Sequence, residues 1–76
     1  MNDIRKIAVG PDYKGGAMHY VVGQEILKGN YTVHHIRHDE SLNSFNVWIE
    51  SIYTKEVVMW KKFVSMPVSV EYNINF

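Results

Sequence analysis

The chain has no cysteine, two prolines and no surplus of either charge, and no apolar run in it reaches membrane-spanning length. Each absence excludes something. Without cysteine there are no disulfides and no thiolate metal sites. Without an apolar stretch of about 20 residues there is no membrane-spanning helix. The first sixteen residues carry no signal-peptide core, so the cytoplasm is the expected compartment. Eight basic residues balance eight acidic ones. General nucleic-acid binders use excess cations to displace counterions from phosphates, so nucleic acid is not the expected partner. There is no Gly-x-Ser-x-Gly elbow. The glycine-rich "GPDYKGG" (10–16) lacks the Gly-Lys-Ser/Thr of a phosphate-binding loop and reads as a plain connection. The expectation is a non-enzymatic protein with no cofactor and no metal.

What is present is a single small domain, 1–76, with two Trp, five Tyr and three Phe. A chain this short buries a modest share of its surface, and small scaffolds need a staple. With disulfides excluded, large aromatics or a second chain take that role.

Apolar runs alternate with turn signals along the whole chain, the habit of a small β-rich domain. In "IRKIAVG" (4–10), alternation puts Ile4, Lys6 and Ala8 on one face and Arg5, Ile7 and Val9 on the other. "AMHYVVGQEIL" (17–27) is β-leaning, and Gly23 marks a bulge within it. "KGN" (28–30) then turns the chain into "YTVHHIRHD" (31–39), forming a hairpin. "ESLNS" (40–44) is a polar turn. "FNVWIESIY" (45–53) puts Phe45, Val47 and Ile49 on one face and Trp48 on the other. "TKEVVMWKKFV" (54–64) reads as a strand returning through a turn near Thr54–Lys55. A helix capped by Thr54 is the alternative, opposed by its three valines. "VSVEYNINF" (68–76) alternates without a break, with Val68, Val70, Tyr72, Ile74 and Phe76 on one face. The expected fold is therefore a small antiparallel sheet or meander of five to six strands, or α+β if 54–64 is helical.

Three of the four histidines lie in "YTVHHIRHDE" (31–40). On a regular strand His34 and His38 stand about 13 Å apart, too far to share one metal ion, and His35 faces the other way. One metal arrangement remains, His19–His38–Asp39 at the open end of the hairpin. The pattern favours half-buried or surface strand residues with polar tips outward. "NYT" (30–32) matches a glycosylation sequon, which without secretion has no use.

The strongest functional signal is apolar residues on two faces. Trp48, joined by Ile52, Met59 and Phe63, forms a second apolar face over 45–64, and Tyr72 lies on the last strand. A small sheet apolar on both sides needs a covering element or another chain, and exposed Trp and Tyr are interface anchors. These five are the candidate partner-binding residues. "VSVEYNINF" carries only Glu71 as a charge, so at a sheet edge it would be a template for a symmetric homodimer. The alternative class is a single-stranded nucleic-acid (RNA) binder using His34, His38, Lys61 and Lys62, since "MWKKF" interleaves aromatics with cations. A third class is an oligomeric sponge for small ligands, with pockets between chains.

The segments "GGAMHYVVGQ" (15–24), "VWIESIYTKEVVMWKKF" (47–63) and "MPVSVEYNINF" (66–76), in a very short cysteine-free chain, resemble small early accessory proteins of T-even-type bacteriophages. The resemblance is one of size and texture across the whole chain. It implies a protein that binds and redirects, or blocks, one host or defence protein in the host cytoplasm. It assigns no residue roles.

Overall fold

The computed structural model describes residues 3–10, 16–64 and 68–73. Seven strands run through them: β1 Ile4–Val9, β2 Met18–Val21, β3 Glu25–Ile26, β4 Tyr31–Asp39, β5 Ser44–Ser51, β6 Val57–Val64 and β7 Val68–Tyr72. All pairings are antiparallel. They make two sheets, one ordered β2-β1-β7 and one ordered β3-β4-β5-β6. The mostly β, antiparallel expectation holds, and 54–64 contains a strand rather than a helix.

The expected hairpin of 17–27 with 31–39 is corrected by the corner at Gly23. Only β3 pairs with β4, Glu25 opposite Thr32 and Ile26 opposite Tyr31. β2 belongs to the other sheet, where Tyr20 faces Ile7 and His19 faces Ala8 of β1. Between them the chain turns at Gly23, whose φ of +92° suits glycine and disfavours L side chains. Backbone bonds pin both sides of the corner. Val22 N donates to Arg5 O at 2.9 Å in one sheet, and Gly23 N donates to Val33 O at 2.9 Å in the other. A strand that changes sheets in this way makes a corner between packed layers. Gly23, expected as a bulge, is that bend. The turn that follows spans Leu27–Gly29, with positive φ at Leu27, Lys28 and Gly29.

Two side chains organise the turns on either side of β5. Asp39 Oδ1 accepts from Ser41 N at 3.0 Å, Ser41 Oγ at 2.7 Å and Leu42 N at 3.3 Å. Ser51 Oγ accepts from Tyr53 N and Thr54 N, both at 3.2 Å, while Ser51 N donates to Glu56 O at 3.0 Å. That second turn, with Lys55 at φ +64°, sends β6 back along β5 as expected.

Three bulges set which residues face inward. One extra residue on a strand resets its alternation. In β1 the extra residue is Arg5, so Ile4 joins Ile7 and Val9 in the core instead of facing away from them. In β4 it is His34, so Val33 and Ile36 are both buried. In β6 it is Trp60, which turns Phe63 inward opposite Phe45 while Met59 stays outside opposite Trp48. The resulting core joins both sheets. Ile4, Ile7, Val9 and Tyr20 come from one sheet, and Val33, Ile36, Val47 and Phe63 from the other. Full burial of such aliphatic side chains stabilises the fold by roughly 1.5–3 kcal/mol each. Tyr20 bridges the layers, its ring 5.8 Å from Trp60 and 5.4 Å from Phe63. Burial pushes its phenol pKa up.

β7 is an edge strand, and Val68 and Val70 pack against the core. Pro67, Ile74, Phe76 and residues 11–15 of the expected loop lie outside the described residues. Among the described residues no helix is long and apolar enough to cross a membrane.

Candidate binding surface

β5 alternates strictly, so Phe45, Val47 and Ile49 point into the molecule and Ser44, Asn46, Trp48 and Glu50 form the spine of the outer face. The ladders on either side arrange that face in four rows: Asp39–Ser44–Val64, Arg37–Asn46–Lys62, His35–Trp48–Met59 and Thr32–Glu50–Val57. Successive rows lie about 7 Å apart along the strands.

The third row is built by two bulges meeting at one tryptophan. His34 and His35 together oppose Trp48, and on the far side the extra residue Trp60 leaves Met59 opposite it. The His35 ring stacks on the Trp48 ring, with centroids 5.4 Å apart and planes 13° from parallel. His34 and His35, expected on opposite faces, instead approach each other with Nδ1 atoms 2.7 Å apart. That contact needs one ring to donate an N–H and the other to keep a lone pair. Burial, then the nearby Arg37 and His34, push the His35 imidazole below the usual histidine range. Met59 is 47% exposed. Trp48 is half-buried, and its indole N–H is buried with no hydrogen-bond acceptor.

Two further outer-face polar atoms share that condition, Ser44 Oγ and Asn46 Oδ1. Ser44 is fully buried. All three orphan groups therefore lie at alternate positions of one strand. Arg37 and Lys62, both exposed, flank the middle one. Sequence reasoning singled out Trp48 and passed over Ser44 and Asn46, although the same alternation in "SFNVW" places all three on one face.

The five expected partner-binding residues divide. Trp48 and Met59 come together. Ile52 sits in the turn at the end of the sheet, its N–H bonded to Asn30 O at 3.1 Å. Phe63 does not join the second face: the Trp60 bulge buries it in the core, which corrects the expectation. Tyr72 lies on the other sheet, opposite Ile4 and 46% exposed.

The alternative nucleic-acid set is dispersed. His38, expected to share a face with His34, is separated from it by the bulge and stacks on Phe45 at 4.3 Å. Lys61 pairs with Val47 in the inner-face register, its Nζ 5.0 Å above the Trp60 ring, whereas Lys62 faces outward beside Asn46. The His19–His38–Asp39 metal arrangement does not assemble, because His19 is held opposite Ala8 in the other sheet. Among the described residues, no group of three or more His, Asp or Glu side chains stands ready to hold a metal ion. Beside the outer face, β4 beyond Val33 has no strand partner among the described residues on its second edge, and open clefts lie between it and Asp3, Ile4 and Tyr72.

Compared with protein-family models, curated proteins and solved structures, the chain matches none.

Proposed function

We propose that this protein is a non-enzymatic protein-binding module whose contact surface is the outer face of the four-stranded sheet, centred on Trp48. The observation that carries this reading is the His35–Trp48–Met59 row. It offers a rigid aromatic platform beside an exposed flexible thioether, with an indole N–H that lacks an acceptor. Tryptophan at the centre of a contact surface is a typical hot-spot residue, and methionine adapts to the shape laid against it. A partner that covers the row removes the exposed apolar area from water. The partner class suggested by the phage-like texture of the chain is a host or defence protein, which the module inhibits or redirects in the cytoplasm.

The test is a comparison of tagged wild type with Met59→Glu, each used to capture proteins from a bacterial lysate. Met59 is exposed, so the variant should keep its fold, and circular dichroism checks this. The expected outcome is a protein retained by wild type and reduced at least about ten-fold by Met59→Glu, the effect of burying one unpaired charge in a contact. Equal retention by both would remove this face from the contact surface.

A further inference from the structure

The row next to Trp48 has its own chemistry. Arg37, Asn46 and Lys62 lie side by side across three strands. Adjacent strands are about 4.8 Å apart, so the two cationic side chains start roughly 10 Å from one another and can close over Asn46 from both sides. Neither cation makes an ion pair with a carboxylate among the described residues; the one described ion pair joins Arg5 and Glu71. One row away in each direction is a buried donor without an acceptor, the Ser44 hydroxyl and the Trp48 indole N–H. Buried donors of this kind are unfavourable while unsatisfied. The centre of the face thus sets two exposed cations on either side of Asn46, whose buried Oδ1 is the third orphan, with the two orphan donors buried one row away. The paired cations are the complement for an anionic group.

The charges around the row narrow the source of that anion. Asp39 lies in the adjacent row, about 7 Å away along the strands, and Glu50 lies two rows away on the other side, at about twice that distance. A polyanion running along the strands would bring its next charges against one of these carboxylates. A chain carrying a single acidic side chain between apolar neighbours would not. Asp39 also has its own role, because the Ser41 hydroxyl, assisted by the Leu42 and Ser41 N–H groups and by the charge of Lys62, holds its carboxyl below the usual range.

Taking the outer face as a protein-contact surface, as above, we propose that the Arg37–Asn46–Lys62 row seats a carboxylate of the partner chain, with the neighbouring apolar side chain of the partner on Trp48 and Met59. The seat opens by rotation of Arg37, Lys62 and Met59, long exposed side chains that can move without disturbing the ladder. The occupant is an acidic–apolar segment of a protein.

The experiment is a nuclear magnetic resonance titration of the isotope-labelled protein at low salt. The probes are the peptide acetyl-Ser-Leu-Glu-Leu-Ser-amide, its Gln-for-Glu counterpart and an oligothymidylate. The acidic peptide should shift the Arg37, Asn46 and Lys62 amide signals and the Trp48 indole N–H signal. Its affinity should fall at least about ten-fold in Arg37→Gln/Lys62→Gln, and similarly with the Gln peptide, the loss expected for a charge-assisted contact. Both residues are exposed, and circular dichroism confirms folding. If the two peptides shift the Trp48 indole equally and the double variant changes nothing, the carboxylate seat is wrong while the contact surface stands. If the acidic peptide produces no shifts, or the oligothymidylate binds more tightly than it does, the proposal is overturned.

Discussion

His34 and His35 are adjacent in the chain and, because of one extra residue in β4, meet as a pair against Trp48. Their Nδ1 contact at 2.7 Å cannot survive with both rings protonated. His35 is held below the ordinary histidine range first by burial and then by Arg37 and His34. In the unfolded chain it titrates near 6.5. The folded protein therefore takes up this proton at lower pH than the unfolded chain. Stability from this group is complete above about pH 6.5, and it declines as the pH falls from there toward the folded value. Following the His35 ring signals against pH should show a midpoint below 6.5 in wild type and a higher one in His34→Ala, where one neighbouring cation is gone. An unchanged midpoint would mean that the bulge pair does not govern His35. Phe63 gives the opposite lesson at this scale. Its alternation with Met59 in "MWKKF" suggested one shared face, and a single extra tryptophan separated them.

At the scale of elements, the decisive feature is the corner between β2 and β3. A continuous β-rich run of eleven residues, 17–27, serves both sheets because Gly23 takes a backbone conformation that turns it from one to the other. A Cβ at Gly23 would meet nothing within 4 Å. The expected cost of Gly23→Ala is therefore backbone strain alone, about 1–2 kcal/mol. Urea unfolding measures it as a lowered midpoint with an unchanged slope. No change in midpoint would indicate that the corner tolerates other backbone angles. The turns at 40–44 and near Thr54–Lys55 are legible in the sequence because their chemistry is local: Asp39 and Ser51 each collect N–H groups from the next few residues. The partner of 17–27 was not legible, since a short Gly-containing turn at 28–30 suits a hairpin whether the upstream arm contributes two residues or ten.

For the whole molecule, the open question is what lies beside its edges. β7 is the edge of the three-stranded sheet, and Glu71, its one charge, is engaged by Arg5. Little on that strand discourages a second copy from pairing alongside it. A symmetric homodimer through β7 would join two three-stranded sheets into one of six strands. Light scattering at high concentration should report a dimer, and Tyr72→Pro, which removes a backbone donor, should shift it to monomer. Circular dichroism must show that the variant still folds. A wild-type protein that stays monomeric at high concentration would rule this dimer out and leave the edge free for a partner's strand. The dimer edge and the Trp48 face are on different sheets, so the two associations can be tested separately.

Local chemistry in the chain determined that it would be β-rich and antiparallel, where β5 and β6 would turn, and that Phe45, Val47 and Ile49 would share a face. Alternation and turn signals extend over only a few residues and need no distant partner. Tertiary structure decided the phase of that alternation. The extra residues Arg5, His34 and Trp60 have no local signature, because an alternating sequence is equally compatible with an unbroken strand. The bulges place Ile4, Ile36 and Phe63 inside one shared core and leave His35, Trp48 and Met59 together outside it. Burying an aliphatic or aromatic side chain stabilises by roughly 1.5–3 kcal/mol, so packing between the two sheets outweighs the regularity of a single strand.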